Sequence, residues 1–348
     1  MMNLHPVTGK ALRIGMLAPI SWRVPPRGYG PWEQFVSLLT EGLVAQGVEV
    51  TLFATQDSQT TANLCGVVPT PYSEDPSVDV KVAEALHISA LFERASEFDI
   101  IHNSYDFLPL CFSRLIPTPM VTTIHGFSSP KILPIYQKYD PTNHYVSISD
   151  ADRHPSLTYD ATIHHGIDFS TFPLGEGPRD YLLFFGRIHP DKGAAQAIIA
   201  ARKSHLPLVM AGIVQDNDYF EKAVKPYVDG VNVRFLGPVE TGKKAELLGG
   251  ARALLHLINF DEPFGFSVVE AMACGTPVVT RYRGSMKELI SEGENGTIVR
   301  GNEPIVIPQT GQFDPAVVRA SVEKRFSATC MVDQYLDLYR TILKGPAS

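Results

Sequence analysis

The stretch DEPFGFSVVEAMACGTPVV, residues 261–279, carries two glutamates, Glu262 and Glu270, with seven residues between them in an otherwise apolar run. Two carboxylates at a fixed spacing suit a general acid and base, two clamps on one ligand, or the structural parts of a loop and a helix cap. As one continuous helix the stretch would hold the pair ~12 Å apart along the axis, too far to share a reacting atom. Pro263 and Gly265 predict instead a loop, with a helix starting near Phe266. Such a helix start aims backbone N–H groups and a positive dipole end at anything bound above it, which is an anion site. Glu262 then precedes that site and Glu270 lies one turn inside. Ser267-Val-Val-Glu270 also fits a capping box with Ser267 as N-cap, so a structural role for Glu270 stays open.

A second candidate is FFGRIHPDKG, residues 184–193, where Arg187 and Lys192 follow a predicted strand end. Two cations so placed suit a diphosphate, Arg187 through its fork and Lys192 as a point charge; a solvated turn is the structural alternative. Other patterns fail on inspection. Gly237-PVET-Gly242-Lys243 resembles a phosphate loop, but Lys244 stands where a magnesium-binding Ser or Thr belongs, and Thr241 reads as a helix cap. Asp150-Ala-Asp152 and Asp216-Asn-Asp218 sit where helices should begin and acidic residues suit the dipole, so no metal is expected. Gly28-Tyr-Gly30 lacks the third glycine of a dinucleotide fingerprint, that place being taken by Glu33.

The elements that must position these residues form two alternating series. The first opens with a strand at 11–18, a helix over 31–47 and a strand at 48–54, followed by apolar runs at 99–104, 119–125, 144–149 and 161–166. A Pro/Gly-rich, charged stretch at 169–180 reads as a linker. The second series has strands in YLLFFG, PLVMAG, VNVRFLG, ALLHLI and TPVVT, with helices starting at Gly193, Asp216, Thr241, Phe266 and Ser285. This alternation predicts an α/β protein of two doubly wound, Rossmann-like domains, with ligands at the carboxyl ends of the strands. The expected division is 1–170, 171–326 and a final amphipathic helix within 327–348.

The 348 residues suit two domains, and 44% apolar with 19% charged residues excludes a disordered chain. A net charge of −7 argues against a nucleic-acid partner. The opening MMNLHPVTGK lacks a secretory pattern and no apolar run is long enough to span a bilayer, so a cytoplasmic protein with no integral membrane segment is expected. Four scattered cysteines predict neither disulfide nor zinc. Asn295-Gly-Thr reads as a turn rather than a glycosylation site.

Together, Arg187 and Lys192 in GRIHPDKG and Glu262 to Glu270 in EPFGFSVVEAMACGTPVV resemble the donor-site signatures of family 4 of the retaining glycosyltransferases, which have the GT-B fold and a double-glutamate motif. PPRGYGPWE (25–33) is similar to that family's glycine-rich loop, TTIHG (122–126) to its histidine-bearing strand end, HHGIDFSTF (164–172) to the motif before its linker, and RGSMKELI (283–290) to the loop after the double-glutamate helix. The resemblance implies a C-terminal domain that binds a nucleotide sugar and an N-terminal domain that binds the acceptor, with the last helix crossing back to the latter. It implies that Glu262 contacts the donor sugar's hydroxyls and Glu270 the ribose. Arg187, Lys192 and the backbone N–H groups of Phe266 and Ser267, in the Gly265–Val268 helix start, would bind the diphosphate. His125 would face the sugar.

The implied reaction moves a sugar, a hexose by preference, from a nucleoside diphosphate to a hydroxyl acceptor with retention of configuration. It needs no metal, other cofactor or enzymatic nucleophile; UDP is preferred over GDP as the donor's carrier. A carbohydrate or other small soluble acceptor is favoured because basic residues are dispersed over the N-terminal half. An epimerase or phosphorylase on the same scaffold, and a silent nucleotide-sugar binding protein, are the alternatives. Two departures stand out: Gly30 is followed by Pro31, which has no N–H to offer a phosphate, and Leu257 replaces a common proline beside His256, read as a satisfied strand-end histidine.

Overall fold

The computed structural model describes residues 11–127 and 129–345. The first ten residues, on which the expectation about a leader rests, lie outside that range. The chain divides into two compact units: Met1–Val146, Pro155–Ala161 and Val332–Ser348 form the first, Ser147–His154 and Thr162–Met331 the second.

In the first unit, β1 (Arg13–Leu17), β2 (Glu49–Phe53), β3 (Asn63–Cys65), β4 (Ile100–Asn103), β5 (Met120–Ile124), β6 (His144–Ser147) and the two-residue β7 (Ala161–Thr162) form a sheet of order β3-β2-β1-β4-β5-β6-β7. Its helices include α1 (Pro31–Ala45), α2 (Val80–Glu93) and α3 (Leu133–Tyr139). In the second, β8 (Tyr181–Phe185), β9 (Leu208–Ala211), β10 (Val233–Phe235), β11 (Ala251–His256), β12 (Val278–Arg281) and β13 (Gly296–Val299) are all parallel, in the order β10-β9-β8-β11-β12-β13. Around them lie α4 (Ala194–Ser204), α5 (Asn217–Tyr219), α6 (Thr241–Gly250), α7 (Phe266–Ala273), α8 (Met286–Leu289) and α9 (Pro315–Phe326), and α10 (Ala328–Lys344) ends the chain.

Strand alternation builds the second core. Leu183, Val209, Leu254 and Val278 enter one buried cluster, while their neighbours Leu182, Phe184, Leu208, Met210, Ala253, Leu255 and Val279 enter another. Successive side chains point to opposite faces of a strand, so a sheet covered on both sides must be written as a continuous apolar run. Each of these side chains larger than alanine contributes about 1.5–3 kcal/mol on burial. Strand order reverses between β8 and β11, and the loops after these two strands are where a doubly wound sheet opens a crevice.

The stretch 169–180 lies inside the second unit rather than at its edge. Ile167 N–H donates to the Phe326 carbonyl (2.8 Å) and Ala328 N–H to that of Ile167 (2.9 Å), while the Arg319 guanidinium donates to the carbonyls of Phe172 and Ala273 (2.6 Å each). Gly166 is required here, since a Cβ would come within 2.6 Å of Ala328 Cα. The expected strand at 161–166 accordingly shrinks to β7.

From Val332 onward α10 belongs to the first unit. Gly42 on α1 lets it approach: a Cβ there would meet Val332 Cγ2 at 2.4 Å. A buried polar chain also fastens it. His102 on β4 bonds the Tyr339 hydroxyl through Nδ1 and Thr123 Oγ1 through Nε2 (3.0 Å), and Thr123 meets the Tyr335 hydroxyl at 2.8 Å. Burial keeps this histidine neutral, its pKa pushed down to about 3. Tyr339→Phe strands the buried Nδ1, so unfolding measurements should show a loss of about 1–3 kcal/mol. An unchanged melting curve would show that the chain of hydroxyls does not fasten this helix.

Candidate active site

The loops after β8 and β11 are tied together by their backbones. After Phe185 the chain runs through Arg187 to a tight turn at Pro190–Lys192, then turns into α4 at Gly193, whose φ is 76°. A Cβ on Gly193 would lie 2.0 Å from the Leu257 carbonyl oxygen, so only glycine allows this approach. The Asn259 N–H donates to the Asp191 carbonyl (2.7 Å), and its side-chain amide to that of Pro190 (3.1 Å). From the far side the Ser285 N–H donates to the Glu262 carbonyl (2.9 Å), and Gly284 (φ 52°) leaves no room for a Cβ against the Glu262 backbone.

This framing brings Lys192 to Glu262. Nζ lies 2.6 Å from Oε2, both side chains are largely buried, and the ammonium sits 4.6 Å from the centre of the Phe260 ring. Lys192 is therefore engaged by a carboxylate rather than held free for a phosphate. Burial alone would push the Glu262 carboxyl up; His256 and Lys192 overcome this and hold it at about 2. Burial keeps His256 below the usual histidine range. Arg187, half-buried on the same loop, hydrogen-bonds the Gln215 side chain, a partner the sequence pattern does not reveal.

The helix start falls where Pro263 and Gly265 predict it. Gly265 takes a left-handed conformation (φ 105°) as the N-cap of α7, and a Cβ there would meet Met286 Cε at 2.8 Å. The cap is thus Gly265 and not Ser267, which already lies inside the helix, so no capping box forms with Glu270. The Val268 and Val269 N–H groups donate to the Gly265 carbonyl (3.0 and 3.3 Å). Val268 is wholly buried and its amide committed, whereas the Phe266 and Ser267 amides stand in the open first turn, with no intrahelical acceptor. The Phe266 ring stacks on His165, 4.8 Å between centres and 12° from parallel.

Glu270 has a cation of its own. Lys244 on α6 places Nζ 2.6 Å from Oε1, beside the rings of Phe185 (5.0 Å) and Phe172 (5.6 Å). The failed phosphate-loop pattern draws attention away from Lys244; the better signal is its place one turn before the core residues Leu247 and Leu248. Thr241 does not cap α6: it is the first helical residue, after Glu240.

The acidic pairs divide. Asp216 caps α5 as expected, accepting the Tyr219 N–H at 2.9 Å. Asp150 begins no helix, because Glu288 supplies the acceptors instead: it takes the N–H groups of Asp150 (3.0 Å) and Ala151 (2.8 Å) and faces His164 Nε2 at 3.0 Å. Among the described residues no cluster of three or more His, Cys, Asp or Glu side chains is placed to hold a metal.

The remaining predicted residues lie in the first unit. Gly30 caps α1, where a Cβ would meet Pro26 Cβ at 2.8 Å, and Pro31 is the first helical residue. Glu33, one turn in, is buried and accepts the Trp22 N–H (3.1 Å), its carboxyl pushed up by burial to about 7. His125 directly follows β5, stacked on Trp32 (5.2 Å) and edge-on to Phe35 (4.8 Å).

Two Rossmann-like sheets in one chain, the second with cations and a helix start at its switch point, are the design of the GT-B glycosyltransferases. Comparison with known proteins agrees. Residues 33–170 match the sequence model described as Glycosyltransferase Family 4, and residues 168–307 that described as Glycosyl transferases group 1. A D-inositol 3-phosphate glycosyltransferase of Frankia alni is 27% identical, over 78% of this chain and 82% of its own length. A phosphatidyl-myo-inositol mannosyltransferase of Mycolicibacterium smegmatis is 28% identical, over 83% and 81%. Among solved structures, AviGT4, a glycosyltransferase involved in avilamycin A biosynthesis, superposes with a TM-score of 0.72 over 96% of this chain and 98% of its own, at 24% identity. Anabaena HepE in complex with UDP and glucose gives 0.72 over 95% and 100%, at 18% identity. The chain belongs to glycosyltransferase family 4, and it is a glycosyltransferase.

The Lys192–Glu262 pair makes a prediction of sign as well as size. Glu262 titrates at about 2 when folded against an ordinary 4.5, so its contribution is full above about pH 4.5 and is lost as the pH falls towards 2. Lys192→Met, which leaves the carboxylate buried without its cation, should cost about 3–5 kcal/mol at pH 7. Denaturation across pH should show the gap between variant and wild type closing in acid; a gap independent of pH would mean that Lys192 stabilises by packing alone.

Proposed function

We propose that the protein transfers a hexose from a nucleoside diphosphate sugar to a hydroxyl acceptor with retention of anomeric configuration. The observation that carries this reading is the placement of Glu262 and Glu270 on either side of the α7 start, beside the loop bearing Arg187 and Lys192. The diphosphate lies at that start, held by the amides of Phe266 and Ser267, the Arg187 fork and Lys192. Glu262 takes hydroxyls of the donor sugar and Glu270 those of the ribose.

As the bond from the anomeric carbon to the phosphate oxygen breaks, negative charge grows on the departing diphosphate, where fixed donors stabilise it most. The acceptor oxygen attacks from the same face, and its proton passes to an oxygen of the leaving phosphate. No side chain serves as nucleophile, and the cations and helix dipole carry the charge without a metal ion. The UDP seen in the HepE complex supports UDP over GDP as the donor's carrier. The relatives are named for two different inositol compounds, so the acceptor is proposed only as a carbohydrate or other small hydroxyl compound.

A thermal-shift panel of UDP, GDP, ADP and TDP sugars should single out one base, because a ligand specific for the native state raises the melting temperature with its affinity. With that donor, Arg187→Ala should slow turnover on the order of a hundredfold or more. Free nucleotide should appear only when acceptor is present, which an epimerase would not require, and product NMR should show the donor's anomeric configuration. A sugar adduct on Glu262 after incubation with donor alone, detected by mass spectrometry, would replace this mechanism with a double displacement.

A further inference from the structure

His256 closes β11 and is 5% exposed, yet its Nε2 has no hydrogen-bond partner. That nitrogen faces Oε2 of Glu262 at 3.4 Å, the same oxygen that Lys192 Nζ approaches to 2.6 Å. Among the described residues the other carboxylate oxygen, Oε1, receives no hydrogen bond. The expectation of a satisfied strand-end histidine is therefore corrected. A lone pair on Nε2 would be repelled by the carboxylate, so the neutral ring carries its hydrogen there and aims it at Glu262. Left without a good partner, a buried N–H costs stability, and an aliphatic side chain in its place would not.

Lys192 has two claims on it. It pairs with Glu262 in this structure, and the donor-site reading above also assigns it to the diphosphate. An ammonium on a flexible four-carbon stem can answer the second claim by turning toward the greater negative charge. Oε2 then loses its main partner, and a shift of ~0.5 Å would bring His256 into ordinary hydrogen-bond range.

We propose that His256 is a positioning residue for sugar recognition: it holds Oε2 of Glu262 from the strand end, keeps Oε1 turned to the donor sugar's hydroxyl, and becomes the chief partner of Oε2 once a bound nucleotide sugar both draws Lys192 to its diphosphate and seats its hydroxyl on Oε1. This rests on the donor-site reading of Glu262 and Lys192. It separates two parts of the ligand, since His256 acts on the sugar through Glu262 and not on the nucleotide.

Calorimetry of wild type, His256→Leu and His256→Gln with UDP and with UDP-glucose, or GDP and GDP-mannose if the panel selects guanine, tests it. His256→Leu should weaken the nucleotide sugar about tenfold while leaving the bare nucleotide within about twofold, the loss of one hydrogen bond to a charged group. His256→Gln, which keeps an N–H donor, should recover most of the difference. Equal weakening of both ligands, or of neither, overturns the proposal. If wild type binds no nucleoside diphosphate at all, the donor-site reading fails first and this inference falls with it. Nitrogen-detected NMR of wild type gives a readout independent of folding in the variants: the ring should be neutral with its hydrogen on Nε2, and that proton should move downfield on adding the nucleotide sugar and stay in place on adding the bare nucleotide. A hydrogen on Nδ1 instead sinks the idea.

Discussion

A carboxylate taken out of water must find a cation or lose its charge, and the second unit does this twice around one helix start. Glu262 meets Lys192 from the loop after β8, and Glu270 meets Lys244 from α6. Removing either partner of such a pair strands the other at a cost of several kcal/mol, so each pair ties two elements into a single arrangement. The close backbone approaches allowed by Gly193, Gly265 and Gly284 serve the same end: they bring the loops near enough for those side chains to meet. Around α7, then, the shape of the site and the neutralisation of its charges are one problem.

This has a consequence for what an arriving anion finds. Lys192 is already spoken for by a carboxylate, whereas Arg187 holds only a neutral amide, that of Gln215. A diphosphate competes with Glu262 for the first and merely with a hydrogen bond for the second. Arg187 and the two open amides are thus the groups a phosphate can recruit at least expense to the protein, and Lys192 is the group whose recruitment changes something else.

How far this was legible from residues alone follows from range. Strands buried on both faces must be continuous apolar runs, so β8, β9, β11 and β12 stand out, and Pro263 with Gly265 announces the α7 start because proline and glycine act on the backbone where they stand. The short edge strand β3 and the strand β13 after Asn295 escape notice, as do partners chosen by tertiary packing. Nothing near Glu270 in the chain points to Lys244, 26 residues away. The same reason explains the wrong helix at Asp150: a local acidic signal cannot reveal that Glu288, far along the chain, will take the amides a helix would have used.

The two units answer the same dipole in opposite ways. At the start of α1 the first residue is Pro31, which has no N–H, and Glu33 in the first turn places a buried carboxyl there, pushed up by burial to about 7 and so only partly ionised at neutral pH. At the start of α7 no acidic residue lies in the first turn, the cap is a glycine without a side chain, and two amides remain open. A first turn that already holds a carboxyl group and lacks one N–H has less to offer a ligand, while positive potential left open, beside cations and at a switch point between strands, attracts one. On electrostatic grounds alone the start of α7 suits an anion better than the start of α1 does.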